Sequence, residues 1–142
     1  MKENGPILIL EDDEDDQFFL TSALTAVAPD HPVRCFDNAL KALDYLRITE
    51  ERPFLIISDV NLAPMTGLEF RRAIDQEPQL KQKAIPFIFM TSPIHNEQVK
   101  EAYNLTVQGF FEKGYNLEHI HADLAAMIAY WSKCIHPNNV AS

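Results

Sequence analysis

The chain has 142 residues, 46% of them apolar and 23% charged, which is room for one ordinary domain with a real core. Its 12 basic residues against 21 acidic ones give a formal charge of −9. That balance argues against a sequence-independent grip on nucleic acid or anionic lipid, both of which need clustered Lys and Arg.

The N-terminus, MKENGP, is polar and runs straight into a short apolar stretch, so it does not resemble a signal peptide. No apolar run approaches the ~20 residues of a membrane span. The expectation is a soluble, cytoplasmic protein with no membrane partner. Cys35 and Cys134 are far apart and lack metal-type spacing, as expected of reduced, inert thiols.

In chain order, the first predicted strand is Ile7–Leu10, and six acids follow it as the run Glu11–Asp16. The next apolar positions, Leu20, Ala23, Leu24 and Val27, share one face of a helix. A second strand, Val33–Phe36, leads through Asp37 into a helix carrying Leu40, Leu43 and Leu46. The third strand is Phe54–Ile57, followed by a helix with Phe70 and Ile74. Residues Glu77 to Ile85 read as an irregular surface loop. The fourth strand, Pro86–Met90, precedes a helix with Val99, Ala102 and Tyr103, and the fifth is Gly109–Phe111. The last helix is the clearest: Leu117, Ile120, Leu124, Met127, Ile128 and Trp131 step by threes and fours after Asn116, a good N-cap.

The first, third and fourth strands are apolar throughout, the pattern of a parallel sheet covered on both faces. Alternation of five strands with five helices predicts an α/β, doubly wound (βα)5 fold, one domain over 1–142 with its core at about 6–134 and a short polar tail at 136–142. With only four glycines, no glycine-rich nucleotide loop exists.

In open parallel sheets, ligands bind beyond the carboxyl ends of the strands. Those ends carry Glu11 and Asp12, Asp59, Thr91 and Ser92, and Lys113. Three carboxylates gathered there would repel one another without a cation, and hard oxygen ligands suit magnesium. Asp59 could then act as a carboxylate nucleophile toward a phosphoryl group, with Thr91 and Lys113 holding the new oxygens. Each residue also has a plain structural explanation: acids after a strand cap the next helix, and Glu14 to Asp16 are expected to do only that. The inference comes from the constellation.

The motifs ILILEDD, SDVNLAPMTGLEF, FIFMTS and GFFEKG, in this order, resemble those of the receiver domain of bacterial two-component response regulators, across nearly the whole chain. The resemblance implies the flavodoxin-like receiver fold with strand order 2-1-3-4-5. It makes Asp59 the phosphoacceptor and Asp12 the main magnesium carboxylate, with Glu11 acting through water and Asn61 through its backbone carbonyl. Thr91, Ser92 and Lys113 become the phosphate-binding and switch residues, and Phe110 the switch aromatic. Several departures stand out: Gly114 follows Lys113 where the family usually has proline in a cis bond, and Pro64 lies one residue late. Phe110 also lacks the hydroxyl of the more frequent tyrosine, so a switch there would work through packing.

The tail leaves no room for an output domain, so a stand-alone, chemotaxis-type receiver is expected. Its implied partners are a sensor histidine kinase or phosphotransfer protein, and a downstream protein. The latter, or a second copy of the chain after phosphorylation, would dock on the fourth expected helix (about Glu97 to Leu105), the fifth strand and the last helix. Three rival readings remain. A haloacid-dehalogenase-type phosphatase needs a second Asp two after the nucleophile on the first strand, and here Asn61 follows Asp59 on the third. A flavodoxin needs a hydroxyl-rich phosphate loop where Glu11–Asp16 stands. A degenerate receiver acting as a scaffold would not need Asp12, Asp59, Thr91 and Lys113. The five histidines, His31, His95, His119, His121 and His136, show no metal pattern and read as solvated surface residues.

Overall fold

Continuous apolarity in the middle strands has a direct structural counterpart. The computed structural model describes residues 4–92, 96–113 and 116–140. Strands β1 (Ile7–Leu10), β2 (Val33–Phe36), β3 (Leu55–Ser58), β4 (Phe87–Thr91) and β5 (Gly109–Glu112) form one parallel sheet in the order β2-β1-β3-β4-β5. β1, β3 and β4 are buried at every position, while the edge strands β2 and β5 are largely half-exposed. β3 and β4 each begin one residue later than the apolar pattern predicts. At β4 the reason is Pro86, whose carbonyl accepts from the Ile56 N–H at 2.9 Å but which has no N–H to donate.

The two-residue period of the strands divides the core into two layers. Leu8, Leu10, Ile56, Phe87 and Phe89 point to one face, and Ile7, Ile9, Leu55, Ile57, Ile88 and Met90 to the other. The first face is covered by α2 (Ala39–Ile48), α3 (Gly67–Gln76), α4 (Pro78–Lys81) and α5 (Asn96–Asn104); the second is covered by α1 (Glu14–Val27) and α6 (Leu117–Lys133). No helix among the described residues is long and apolar enough to cross a membrane.

The helix starts follow from local chemistry. Asp13 caps α1 by accepting the Asp16 N–H at 2.9 Å, and Asn116 caps α6 in the same way from His119. The cap of α2 is Asn38 rather than its neighbour Asp37, which instead pairs with Lys41 across one turn. Thr66 and Glu69 form a reciprocal capping box at α3.

Several expectations need correction. The stretch 77–85 is not irregular: it contains α4, started by Pro78 at its first position and anchored by Leu80, which is buried. Leu40, Tyr103 and Leu117 lie on the outer faces of their helices, and the inward positions belong to Ala39, Ala42, Ala102 and Ile120. Small alanines are what the close approach of helix to sheet requires there. His95 and Gly114 lie outside the described residues.

The tail departs furthest from expectation. His136 is 2% exposed, stacked on Phe54 with ring centroids 4.7 Å apart, and His31 covers that ring at 4.3 Å. The His136 Nε2–H donates to the Phe54 carbonyl at 2.6 Å, while Nδ1 accepts the Asn138 N–H at 3.0 Å. These partners select one neutral tautomer and start a short 3₁₀ turn, Pro137–Asn139. Asn138 then clamps the Arg52 and Pro53 carbonyls at 2.7 and 3.2 Å. The core therefore ends at residue 136, not 134, because a polar-looking tail carries an aromatic ring with two fitted partners.

Two predictions follow from this packing. A Cβ at Gly67 would lie 2.1 Å from the Asp59 carbonyl oxygen, a backbone atom with nowhere to go. Gly67→Ala is expected to cost about 2 kcal/mol or more in denaturant unfolding. Burial pushes the His136 imidazole below its ordinary value of 6.5. The unfolded chain then binds the extra proton first, so this group's contribution is present above pH 6.5 and lost as pH falls toward the lowered folded value. Urea unfolding at pH 7.5 and 5.5 is expected to show that loss in the wild type and a smaller one in His136→Asn.

Candidate functional site

Glu11, Asp59 and Lys113 were expected at the carboxyl ends of strands, and the backbone puts them there. The Glu11 N–H donates to Phe36 O at 3.0 Å, the Asp59 N–H to Leu10 O at 2.9 Å and the Lys113 N–H to Thr91 O at 2.7 Å. These bonds extend the ladders one step past the strands and align three side chains above the sheet. The loop after Asp59 folds back on itself, with the Gly67 N–H on Val60 O at 2.9 Å and a cis Ala63–Pro64 bond within it.

Asp59 is 7% exposed, and its two carboxylate oxygens have different surroundings. Oδ1 accepts the Thr91 hydroxyl and the Asn61 N–H, the latter at 3.0 Å. Oδ2 faces the Lys113 ammonium at 3.4 Å. Thr91 is fully buried, as a hydroxyl at the end of a central strand must be if it is to reach this acid.

Lys113 is the hub. Its ammonium donates to Glu11 Oε2, to Asp16 Oδ2 at 3.0 Å and to Asp59 Oδ2. The side chain is only 10% exposed. Burial alone would lower its pKa, but the carboxylates of Glu11, Asp16 and Asp59 outweigh burial and raise it above the ordinary lysine value. Glu11 is 2% exposed, and burial pushes its carboxyl up to about 7 against the pull of Lys113. Its other oxygen accepts the Asp13 N–H at 3.1 Å, which ties the ion pair to the start of α1.

The structure thus gathers Glu11, Asp59, Thr91 and Lys113 and leaves other predicted residues at the rim. Asp12 is exposed and lines a shallow cavity with Glu14, Gln17, Cys35, Phe36, Asp37 and Lys41. Ser92 is exposed just past β4. Phe110 is half-buried and packs on Phe89 at 5.6 Å. It ends a run of rings in which Phe70, Phe87 and Phe89 follow at 5.8 and 5.0 Å.

Asp16 corrects the reading of Glu14 to Asp16 as helix-capping acids alone. Asp13 does the capping, and Asp16 sends its carboxylate to Lys113. The signal was available: one helix start needs one capping acid, and six are present.

No set of three His, Cys, Asp or Glu side chains among the described residues is arranged to share a metal ion. The donor chemistry nonetheless fits a small hard cation, because carboxylates on adjacent strand ends converge and already hold a positive charge, the Lys113 ammonium.

The chain is similar to known proteins over most of its length. Residues 7–125 match the profile of the response regulator receiver domain. The response regulator Rcp1 of Synechocystis sp. is 28% identical over 134 residues, covering 91% of this chain and 90% of the relative. The crystal structure of the phosphorylated cyanobacterial phytochrome response regulator RcpA superposes with a TM-score of 0.85 at 26% identity, covering 94% of this chain and 99% of that one. A manganese-bound form of Rcp1 superposes with a TM-score of 0.80 at 26% identity, covering 93% and 97%. A flavodoxin-like sheet in the order 2-1-3-4-5, with carboxylates, a hydroxyl and a lysine on its strand ends, is a receiver, and the chain belongs to the response regulator receiver domain family of two-component signalling.

Proposed function

We propose that the chain is a phosphorylation-dependent switch in which Asp59 accepts a phosphoryl group from a histidine kinase or phosphotransfer protein and passes the signal on by protein binding or relay. The observation that carries this is the asymmetric setting of the Asp59 carboxylate. One oxygen is held by Thr91 and the Asn61 N–H, and the other lies beside the Lys113 ammonium. A carboxylate held at one oxygen presents the other as a nucleophile. That oxygen bonds to phosphorus as the donor's nitrogen or oxygen leaves with its electron pair, giving an aspartyl-phosphate.

Magnesium, bound through Asp12, Asp59, the Asn61 carbonyl and a water on Glu11, would neutralise charge on the transferring oxygens. Lys113 holds one of those oxygens, and Thr91 and Ser92 donate hydroxyls to others. The group is carried by the protein itself, so the chain is a signalling module and not a turnover enzyme.

The output is a change of packing. A new charge of roughly −2 on Asp59 draws in Lys113 and Thr91, which sit on neighbouring strand ends. Thr91 moving toward the phosphoryl group vacates space that Phe110 can fill from β5. The surface altered comprises α5, β5 and the outer side of α6, where Tyr103 and Tyr130 are exposed. A downstream protein or a second copy of the chain docks there.

A phosphatase reading is not favoured: Asn61, two residues past Asp59, has no acidic proton to give a leaving group.

Asp59→Asn is expected to abolish the mass gain of one phosphoryl group on incubation with a small phosphodonor and magnesium, with the fold kept by circular dichroism. Labelling at the wild-type rate would reassign the site. Lys113→Ala removes the partner of two buried carboxylates and is expected to lower stability by about 3 kcal/mol. It still takes up phosphate, but amide shifts in α5 and Phe110 no longer accompany phosphorylation. Wild-type shifts in that variant would remove the coupling role.

A further inference from the structure

One acid of the Glu11–Asp16 run is placed unlike its neighbours. Asp12, Asp13, Glu14 and Asp15 are exposed, while Asp16 is half-buried in the first turn of α1. It stands three residues past the N-cap Asp13, where an acid ordinarily reaches back to the cap's own N–H. Glu69 does so at α3, accepting the Thr66 N–H at 3.0 Å. At α1 the Asp13 N–H is already taken by Glu11 Oε1 at 3.1 Å. The Asp16 carboxylate goes instead to the Lys113 ammonium at 3.0 Å.

That contact decides how the ammonium is shared. A lysine ammonium has three N–H donors, and here the acceptors are Glu11 Oε2, Asp16 Oδ2 and Asp59 Oδ2. The Lys113 backbone is fixed by its N–H on Thr91 O at 2.7 Å, and the side chain is 10% exposed, so the ammonium has little room to rearrange. It lies 3.0 Å from Asp16 but 3.4 Å from Asp59, whereas an unrestrained bond between ammonium and carboxylate is about 2.7–2.9 Å long. The Asp59 contact is therefore the loose one. Among the described residues it is also the only hydrogen bond that Oδ2 accepts, because Thr91 and the Asn61 N–H are both on Oδ1.

A loosely held oxygen is what phosphoryl uptake needs. An ammonium seated squarely on a carboxylate oxygen ties up the electron pair that must attack phosphorus. Held farther off, the same cation leaves that pair free and still meets charge on the transferring group.

We propose that Asp16 is a positioning residue for phosphoryl uptake, drawing the Lys113 ammonium toward α1 and away from Asp59 Oδ2. This role rests on Asp59 being the phosphoacceptor. With acetyl phosphate as donor, Oδ2 bonds to phosphorus while the phosphorus–oxygen bond to acetate breaks and the acetate leaves with its electron pair.

The test follows uptake from acetyl phosphate with magnesium, read as the mass gain of the intact chain. It compares the wild type, Asp16→Asn, Asp16→Glu, Lys113→Ala and the Asp16→Asn, Lys113→Ala double variant. Asp16→Asn is expected to slow uptake about threefold with the fold kept by circular dichroism, and Asp16→Glu to restore most of the rate. On the Lys113→Ala background the further change Asp16→Asn is expected to have no effect, since Asp16 acts through the ammonium. Lys113→Met, which keeps most of the buried stem, is the second background should Lys113→Ala unfold. Faster uptake in Asp16→Asn would be the signature of simple repulsion between Asp16 and an anionic donor. That outcome, an unchanged rate, or equal slowing with and without Lys113 would each overturn the role of Asp16 and leave Asp59 as the acceptor. A wild type that takes up no phosphoryl group would overturn both.

Discussion

Everything at the carboxyl end of this sheet depends on one ammonium group. Parallel strands of equal direction bring Glu11 and Asp59 to adjacent ends whether or not their charges tolerate it, and both are nearly out of water. At an effective dielectric near 20, two like charges a few ångströms apart cost on the order of 4 kcal/mol. Lys113 removes that cost by touching both and recruiting Asp16 as a third partner. The lysine is thus part of the resting structure as much as of any phosphorylated one. Glu11, Asp16 and Asp59 share this one cation, so a change of charge at any of them is felt by the other two.

The legibility of the fold varied with burial. β1, β3 and β4 are central, covered on both faces, and therefore apolar at every position, which made them readable as strands and as parallel. β2 and β5 sit at the edges, with half-exposed patterns, and were readable mainly from their place in the alternation. α4 was hidden because one turn with one buried leucine has no period to detect. Leu40 and Leu117 misled for a related reason: an apolar residue at a helix start satisfies the spacing without facing the core, while Ala39 and Ala42 fill the inward positions with little hydrophobic signal.

The site was legible to the extent that it is built from strand ends. Glu11, Asp59, Thr91 and Lys113 each follow a readable strand, so topology alone predicts that they meet. Asp16 does not follow a strand; it reaches Lys113 from the first turn of α1, and only the three-dimensional path of that helix shows it. His136 was opaque in another way. A histidine in a polar tail has no sequence mark distinguishing a solvated ring from one fitted between a carbonyl and an amide, and its partners Phe54 and Asn138 lie on opposite sides of it in the chain.

The two ends of the sheet are joined by aromatic packing. Phe87 starts β4 at the amino end, Phe89 contacts it within the same strand, and Phe110 contacts Phe89 near the acidic end. These rings share one core layer, and protein interiors are packed as densely as organic crystals. A ring as large as Phe110 cannot leave Phe89 without opening a void, and a void in such a layer loses contacts on every wall. Thr91, two residues past Phe89 in the same strand, is the neighbour whose side chain is held by Asp59. Phe110 is the one ring of the series at the edge of the sheet and half-exposed, whereas Phe87 and Phe89 are 1% and 0% exposed. The burial gradient along these rings, from sealed to half-open, leaves the free volume of this layer on the side of β5.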